Sequence, residues 1–232
     1  QVCHNPSIST YELARQLDDS DAEVLVTLDL LVPRALKIKH ETKIRTIIAC
    51  HISDYLPFPK KQLFPYVKKQ MYRKIEPQDG VYAFTDLIEK YPGTPVANAA
   101  QWEETGALIY TGGTTGVSKG VMLTHSNMSC NVQQLRYWFY DLKEGKESML
   151  AIFPFFHSAG FTGIQNLCIY GAATDILVPR PEPGVVIELL RKFKPTYLPG
   201  VPTIFVGLLN DKRFLDLDLT FIKGFIAGAA PL

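Results

Sequence analysis

Apolar positions along this chain switch between a helical period and the short continuous runs of buried strands. Over residues 10–19 (TYELARQLDD), Leu13, Ala14 and Leu17 share one helical face, and Ser9 with Glu12 has the form of a capping box, which predicts a helix. Residues 22–28 (AEVLVTL) form a β-branched-rich run of strand length. A helical stretch follows to about His40, and residues 45–51 (RTIIACH) read as a second buried strand. The rhythm resumes at Gly106 with a strand over 107–111, a glycine-rich loop, a strand over 121–124 and a helix from Ser126 to about Tyr140. Strands are then predicted at 149–153, 174–178, 196–198 and 222–227, and helices near 162–170, at 185–193 and at 202–209. Short apolar strands alternating with helices predict an α/β fold with mostly parallel sheets and helices on both faces.

Residues 56–74 (LPFPKKQLFPYVKKQMYRK) break that rhythm. They hold Lys60, Lys61, Lys68, Lys69, Arg73 and Lys74 with no acidic residue, interleaved with Phe58, Phe64, Tyr66 and Tyr72. One reading is a solvated helix whose aromatics pack on the core. The other is a basic aromatic surface that rests on an anionic membrane or accepts a lipid-like substrate. Residues 91–95 (YPGTP) then read as a loop.

Composition narrows the function classes. A net charge of +1 over 232 residues gives no electrostatic bias toward nucleic acid. No apolar run reaches membrane-spanning length, and the N-terminus lacks the pattern of a signal peptide. Cys3, Cys50, Cys130 and Cys168 have no metal-ligand spacing and read as reduced, mostly packed thiols of a cytoplasmic protein, peripheral on the inner membrane face if the second reading of 56–74 holds. The chain starts at Gln1 and stops directly after a strand-like run, so it is read as an internal piece of something longer.

The strongest chemical signal is residues 110–120, YTGGTTGVSKG. Glycines let the backbone approach an anion, successive N–H groups in such a turn form an anion site, and threonine hydroxyls and Lys119 add donors and charge. A flexible hairpin turn of the same composition is the plainer alternative. A Walker A loop does not fit, because Lys119 follows Ser118 and precedes Gly120. The spacing of Gly112, Gly113 and Gly116 is not the dinucleotide fingerprint either.

The stretch resembles the phosphate loop of the adenylate-forming (AMP-binding) family, Tyr-Thr-Ser-Gly-Thr-Thr-Gly-x-Pro-Lys-Gly, with Gly112 in place of its serine and Ser118 in place of its proline. Residues 121–127 (VMLTHSN) are similar to the family's continuation. Residues 153–160 (FPFFHSAG) resemble its aromatic-His segment beside the acyl pocket, and 226–232 (IAGAAPL) resemble its Ser-Gly-Gly-Ala-Pro-Leu strand end. Asn5-Pro6, Tyr11-Glu12-Leu13 and residues 17–22 are similar to the segment upstream of the loop, and the basic aromatic stretch resembles the long-chain acyl-CoA synthetases in particular. Standing alone, a histidine after an aromatic run is usually a packed side chain, and 226–232 an ordinary buried strand end; their order after the loop is what gives them weight.

The resemblance implies one incomplete AMP-binding domain over 1–232, without the mobile C-terminal domain, and a longer enzyme that joins a carboxylate to AMP with loss of pyrophosphate and passes the acyl group to coenzyme A. It implies ATP binding by Thr111, Gly112, Gly113, Thr114, Thr115, Gly116 and Lys119, with Ala229, Ala230 and Pro231 against adenine. It puts His157 and Gly228 at the acyl pocket, Thr111 on Mg²⁺, and Lys119, Thr111 and His157 in the reaction. A long-chain fatty acid is the expected substrate; an aryl or amino acid, or a non-catalytic nucleotide-binding module, are the alternatives. The isolated piece is expected to be inactive, since family residues that lie beyond Leu232 are needed.

Overall fold

A computed structural model describes residues 1–91, 93–112, 118–178 and 180–231. They divide into two units, Val2–Ala99 with Tyr110–Gly120, and Gln1 with Ala100–Ile109 and Val121–Leu232.

The first unit runs β1 (Val2–Cys3), α1 (Thr10–Asp19), β2 (Val24–Leu28), α2 (Val32–Ile38), β3 (Thr46–Cys50), α3 (Lys60–Val67), β4 (Val81–Ala83) and α4 (Phe84–Lys90). Strands β2, β3 and β4 lie side by side, all parallel, with Ile47 in register with Leu25 on one side and Val81 on the other. Ala14 and Leu17 of α1 and Val32, Ala35 and Ile38 of α2 close over Ile47 and Ala49, which are fully buried. This is the apolar face that the spacing of Leu13, Ala14 and Leu17 predicts. On β2 the alternate residues Val24, Val26 and Leu28 are exposed. The short β4 and α4 went unread because three strand residues leave no period to detect.

Within residues 56–74 the packed-aromatic reading holds only in part. Tyr72 stacks on His51 at 4.8 Å, and the buried Asp29 carboxylate accepts the neighbouring Arg73 N–H at 2.6 Å, which ties the end of the segment to the sheet. Helix α3 buries none of its residues, and Phe58 and Tyr66 are 83% and 74% exposed. Pro65 inside α3 withholds an N–H donor, and the helix ends two residues later.

Strands β5 (Thr105–Thr111) and β6 (Lys119–Thr124) are neighbours in one sheet and carry the chain between the units; 110–111 and 119–120 belong to the first unit and the rest to the second. The second unit continues with α5 (His125–Trp138), β7 (Ser148–Ala151), α6 (Ser158–Gly160), a π-helical stretch at Phe161–Asn166, α7 (Leu167–Tyr170), β8 (Thr174–Leu177), α8 (Pro183–Phe193), β9 (Tyr197–Gly200), α9 (Pro202–Leu209), α10 (Lys212–Leu215) and β10 (Gly224–Ala227).

Its sheet has the order β10-β9-β7-β8, all parallel. Alternation along β7 builds a core on each face. Leu150 joins Val186, Leu190 and Leu208 of α8 and α9, whereas Met149 and Ala151 join Val132 of α5 and Leu167 of α7. Full burial of a leucine such as Leu150 or Leu190 contributes about 1.5–3 kcal/mol. Helix α5 starts where Thr124 accepts the Asn127 N–H and the Asn127 side chain accepts the Thr124 N–H in return, a complete capping box. Of the four cysteines, all free, only Cys168 is buried; burial first, and then Asp175, push its thiol up to about 12. Cys130 is exposed on α5, so thiol packing is less general than composition suggests. Among the described residues no helix is long and apolar enough to cross a membrane.

Candidate functional site

Thr111 and Gly112 leave β5 and Lys119 opens β6, so the two flanks of the glycine-rich turn face one another. The Thr111 hydroxyl donates to the Lys119 carbonyl oxygen at 3.5 Å, a long bond across the gap. Thr111, Gly112 and Lys119 are all exposed, and a side chain at Gly112 would meet open space. Among the described residues, no carboxylate pairs with the Lys119 ammonium. Gly113, Thr114, Thr115 and Gly116, four of the residues expected to bind phosphate, lie outside the described residues.

Both flanks are held by α1. On the entering side the Tyr110 hydroxyl donates to Asp19 at 2.6 Å and reaches the Gln16 carbonyl at 3.1 Å. Burial first, then donation to Asp19, push the Tyr110 phenol above its usual range. On the returning side Ser118 is gripped by Glu12, Arg15 and Gln16 along the middle of the helix. Arg15 Nη2 donates to the Ser118 hydroxyl at 2.9 Å and to its carbonyl at 3.2 Å, Gln16 Nε2 donates to the hydroxyl at 3.0 Å, and the hydroxyl itself donates to Glu12 Oε1. Glu12 also accepts from Arg15 at 3.1 Å and from Gln16 at 2.9 Å. These donors, Ser118 foremost and then Arg15 and Gln16, hold the Glu12 carboxyl down at about 2.

The sequence pointed to Glu12 for a different reason. As the third residue of a capping box it should turn back to the N-cap, but only half of that box forms. Ser9 accepts the Glu12 N–H at 3.1 Å, while the Glu12 side chain points to Ser118 instead. Arg15 and Gln16 carried no functional signal, because partners more than a hundred positions away leave no local period.

The remaining expected residues lie in the second unit. His157 caps α6, its Nδ1 accepting the Ala159 N–H at 3.1 Å, so the ring proton belongs on Nε2. The imidazole is exposed. Gly160 is required here, since a side chain would come within 2.2 Å of the Pro154 carbonyl oxygen. Phe153, Phe155 and Ala159 of this segment share one apolar cluster with Ile226 of β10, which brings the aromatic-His segment and the strand end into a common core. Beyond β10, Gly228 donates to the Gly200 carbonyl at 3.3 Å, and Ala229 has a left-handed φ of +66°. Against Ser-Gly-Gly-Ala-Pro-Leu, Ala229 falls on the second glycine, the position where positive φ is free of strain. Ala230 and Pro231 are exposed beside it.

What these groups can hold follows from their chemistry. An exposed ammonium and hydroxyl at adjacent strand ends suit the oxygens of a phosphate group. A divalent cation would need several oxygen donors. Among the described residues no group of three acidic, His or Cys side chains could supply them, so Thr111 stands as a single candidate ligand and the residues described do not make a Mg²⁺ site.

A family profile described as "AMP-binding enzyme" matches residues 1–232. The chain is 38% identical over 231 residues to a long-chain-fatty-acid–CoA ligase of Bacillus subtilis, covering 98% of this chain and 41% of that protein. It is 32% identical over 234 residues to a long-chain-fatty-acid–CoA ligase of Salmonella typhimurium, covering 98% of this chain and 42% of that protein. The crystal structure of an anthranilate CoA ligase in complex with anthranoyl-AMP superposes with a TM-score of 0.78 at 22% identity, covering 99% of this chain and 40% of that one, and so shares the fold. The chain spans about two fifths of the length of the curated relatives it matches. It belongs to the AMP-binding enzyme family.

Proposed function

We propose, with that membership as the premise, that the longer protein carrying this chain is an ATP-dependent acid–thiol ligase for long-chain fatty acids. A fatty-acid carboxylate oxygen attacks the α-phosphorus of ATP, pyrophosphate leaves, and an acyl-adenylate forms. The thiol of coenzyme A then attacks the acyl carbonyl, giving the thioester and releasing AMP. The chain itself supplies one incomplete AMP-binding domain. The observation that carries the reading is the exposed Thr111–Lys119 pair on neighbouring strand ends, its cation unpaired among the described residues. The names of the curated relatives support a fatty acid as the substrate.

Within this scheme Thr111 through Gly116 and Lys119 receive the β- and γ-phosphates, and Lys119 offsets the charge that builds on the departing pyrophosphate. Ala229, Ala230 and Pro231 take the adenine, and His157 and Gly228 border the carboxylate. Contact with an anionic lipid surface fits residues 56–74, where α3 leaves its lysines and Tyr66 in solvent.

The test is acid-dependent ATP–pyrophosphate exchange by the full-length protein with palmitate, benzoate and an amino acid in turn. Exchange driven by palmitate is expected. Exchange with only an aryl or amino acid would overturn the substrate, and no exchange with any acid would leave a nucleotide-binding module in place of an enzyme.

A further inference from the structure

Among the described residues on the returning flank of the turn, Ser118 has a side chain held by a distant part of the chain. Its hydroxyl meets Glu12, Arg15 and Gln16, and its carbonyl meets Arg15 again. The gripping residues are themselves fixed. Gln16 is buried, and its amide oxygen lies 2.8 Å from His4 Nδ1; the His4 ring stacks on Tyr110, on the opposite flank of the turn, at 5.9 Å. Arg15 is held against Glu12 at 3.1 Å. The Ser118 hydroxyl uses both its donor and its acceptor capacity and draws the Glu12–Arg15 ion pair to the flank of the turn.

We propose that Glu12, Arg15 and Gln16 are positioning residues for the adenylation step: through Ser118 they set the backbone that carries Lys119. The inference rests on the phosphate-loop reading. Lys119 follows Ser118 directly, so a rotation of the Ser118 peptide swings the ammonium away from the phosphates. The related loops carry a proline at this position, whose ring fixes φ. Here serine leaves φ free, and hydrogen bonds from α1 take over the restraint. Arg15 acts at a distance from substrate in this scheme, its guanidinium engaged with Glu12 and Ser118 and not with a phosphate.

The experiment uses the full-length protein and measures the KM for ATP, the KM for fatty acid and kcat in pyrophosphate exchange, with a thermal melt alongside. Ser118→Ala and Glu12→Gln should each lower kcat/KM for ATP about tenfold, leave the KM for fatty acid unchanged, and be no worse in combination than the more severe single change. Ser118→Thr, which keeps the hydroxyl, should recover most of the loss. Should Glu12→Gln fail to fold, Ser118→Ala decides alone. Losses confined to melting temperature, additive losses, or unchanged ATP kinetics in variants of a protein that Lys119→Ala does impair would each overturn the positioning role and leave the phosphate loop standing. A silent Lys119→Ala would take from the phosphate loop the charge that these residues are proposed to position, and this proposal would fall with it.

Discussion

Asp19 accepts the hydroxyl of Tyr110 at 2.6 Å, although 91 positions separate them, and this bond joins the end of α1 to the strand that enters the glycine-rich turn. Glu12, Arg15 and Gln16 of the same helix hold Ser118 on the way out. One short amphipathic helix, anchored in the core by Ala14 and Leu17, thus braces both flanks of the glycine-rich turn. Sequence separation puts the brace in the part of the chain least suggestive of chemistry.

Tyr110→Phe removes that bond and leaves the ring in place. Asp19 is exposed and can take water as its new donor, so the expected loss is that of one net hydrogen bond, about 0.5–1.5 kcal/mol. Urea unfolding of the variant beside wild type reads it from the midpoint at constant slope. A midpoint that does not move would mean the bond contributes nothing to the fold.

Glu12 makes the acid limb of stability depend on this contact. Its folded carboxyl sits at about 2 against an ordinary 4.5, so between those values the unfolded chain binds more protons than the folded one. The contribution is therefore complete above pH 4.5 and is lost as pH falls toward 2. Glu12→Gln should start less stable at neutral pH and lose less over the acid window, so the two urea midpoints converge on acidification. Parallel curves would show that Glu12 titrates normally.

Much of the fold was legible because its period was. The two buried faces of β7 and the interior of β3 are short apolar runs, and α1, α8 and α9 sit close to where their spacing put them. What stayed unread lacked a period: three-residue β4, four-residue α10, and the π-helical stretch after Gly160, where a widened turn looks in sequence like ordinary helix. In the site, Thr111 and Lys119 stood out through the glycine- and threonine-rich stretch and its resemblance to a phosphate loop. Arg15 and Gln16 were not, because hydrogen bonds between segments a hundred residues apart follow no local rule. Phe58 and Tyr66 were misread in the packed-aromatic reading for the reverse reason, since aromatic side chains signal burial by default and here face solvent.

Ala229→Gly should not destabilise the protein. A left-handed alanine costs about 1–2 kcal/mol, and glycine's extra freedom in the unfolded chain returns about 0.4–1 kcal/mol of that. The net expectation is a change between zero and about 1.5 kcal/mol in favour of the variant. Ala229→Val, which puts a β-branched residue at positive φ, should be clearly worse than wild type. Denaturant midpoints for the three proteins give the order directly, and valine ranking above glycine would contradict the left-handed backbone.

Residues 56–74 make a separate prediction about lipid. Full-length protein should sediment with phosphatidylglycerol vesicles and not with phosphatidylcholine ones. Each lysine near an anionic surface contributes about 1 kcal/mol, roughly fivefold in partitioning, screened by salt. Replacing Lys60, Lys61, Lys68 and Lys69 with glutamine should abolish the difference between the two lipids while leaving the thermal melt within about 0.5 kcal/mol, as expected for exposed side chains. Equal sedimentation of variant and wild type would assign the basic surface to something other than lipid.

Lys119→Ala bears most directly on the function. The ammonium is exposed and, among the described residues, has no carboxylate partner, so its removal should barely alter the fold, by about 0.5 kcal/mol or less. If it meets the phosphates, it acts on charge that changes between ground and transition state, and its loss belongs in kcat more than in fatty-acid binding. Removing one preorganised electrostatic contact of that kind costs about 2.7–4 kcal/mol, roughly a hundred- to a thousandfold in rate. Acid-dependent ATP–pyrophosphate exchange at saturating fatty acid measures this in the full-length protein, with a thermal melt to check folding. A lysine that merely solvates a hairpin would leave exchange within about threefold of wild type, or roughly 0.65 kcal/mol. That result would strip the turn of its central charge, and the threonine hydroxyls and backbone N–H groups would have to receive the phosphates without it.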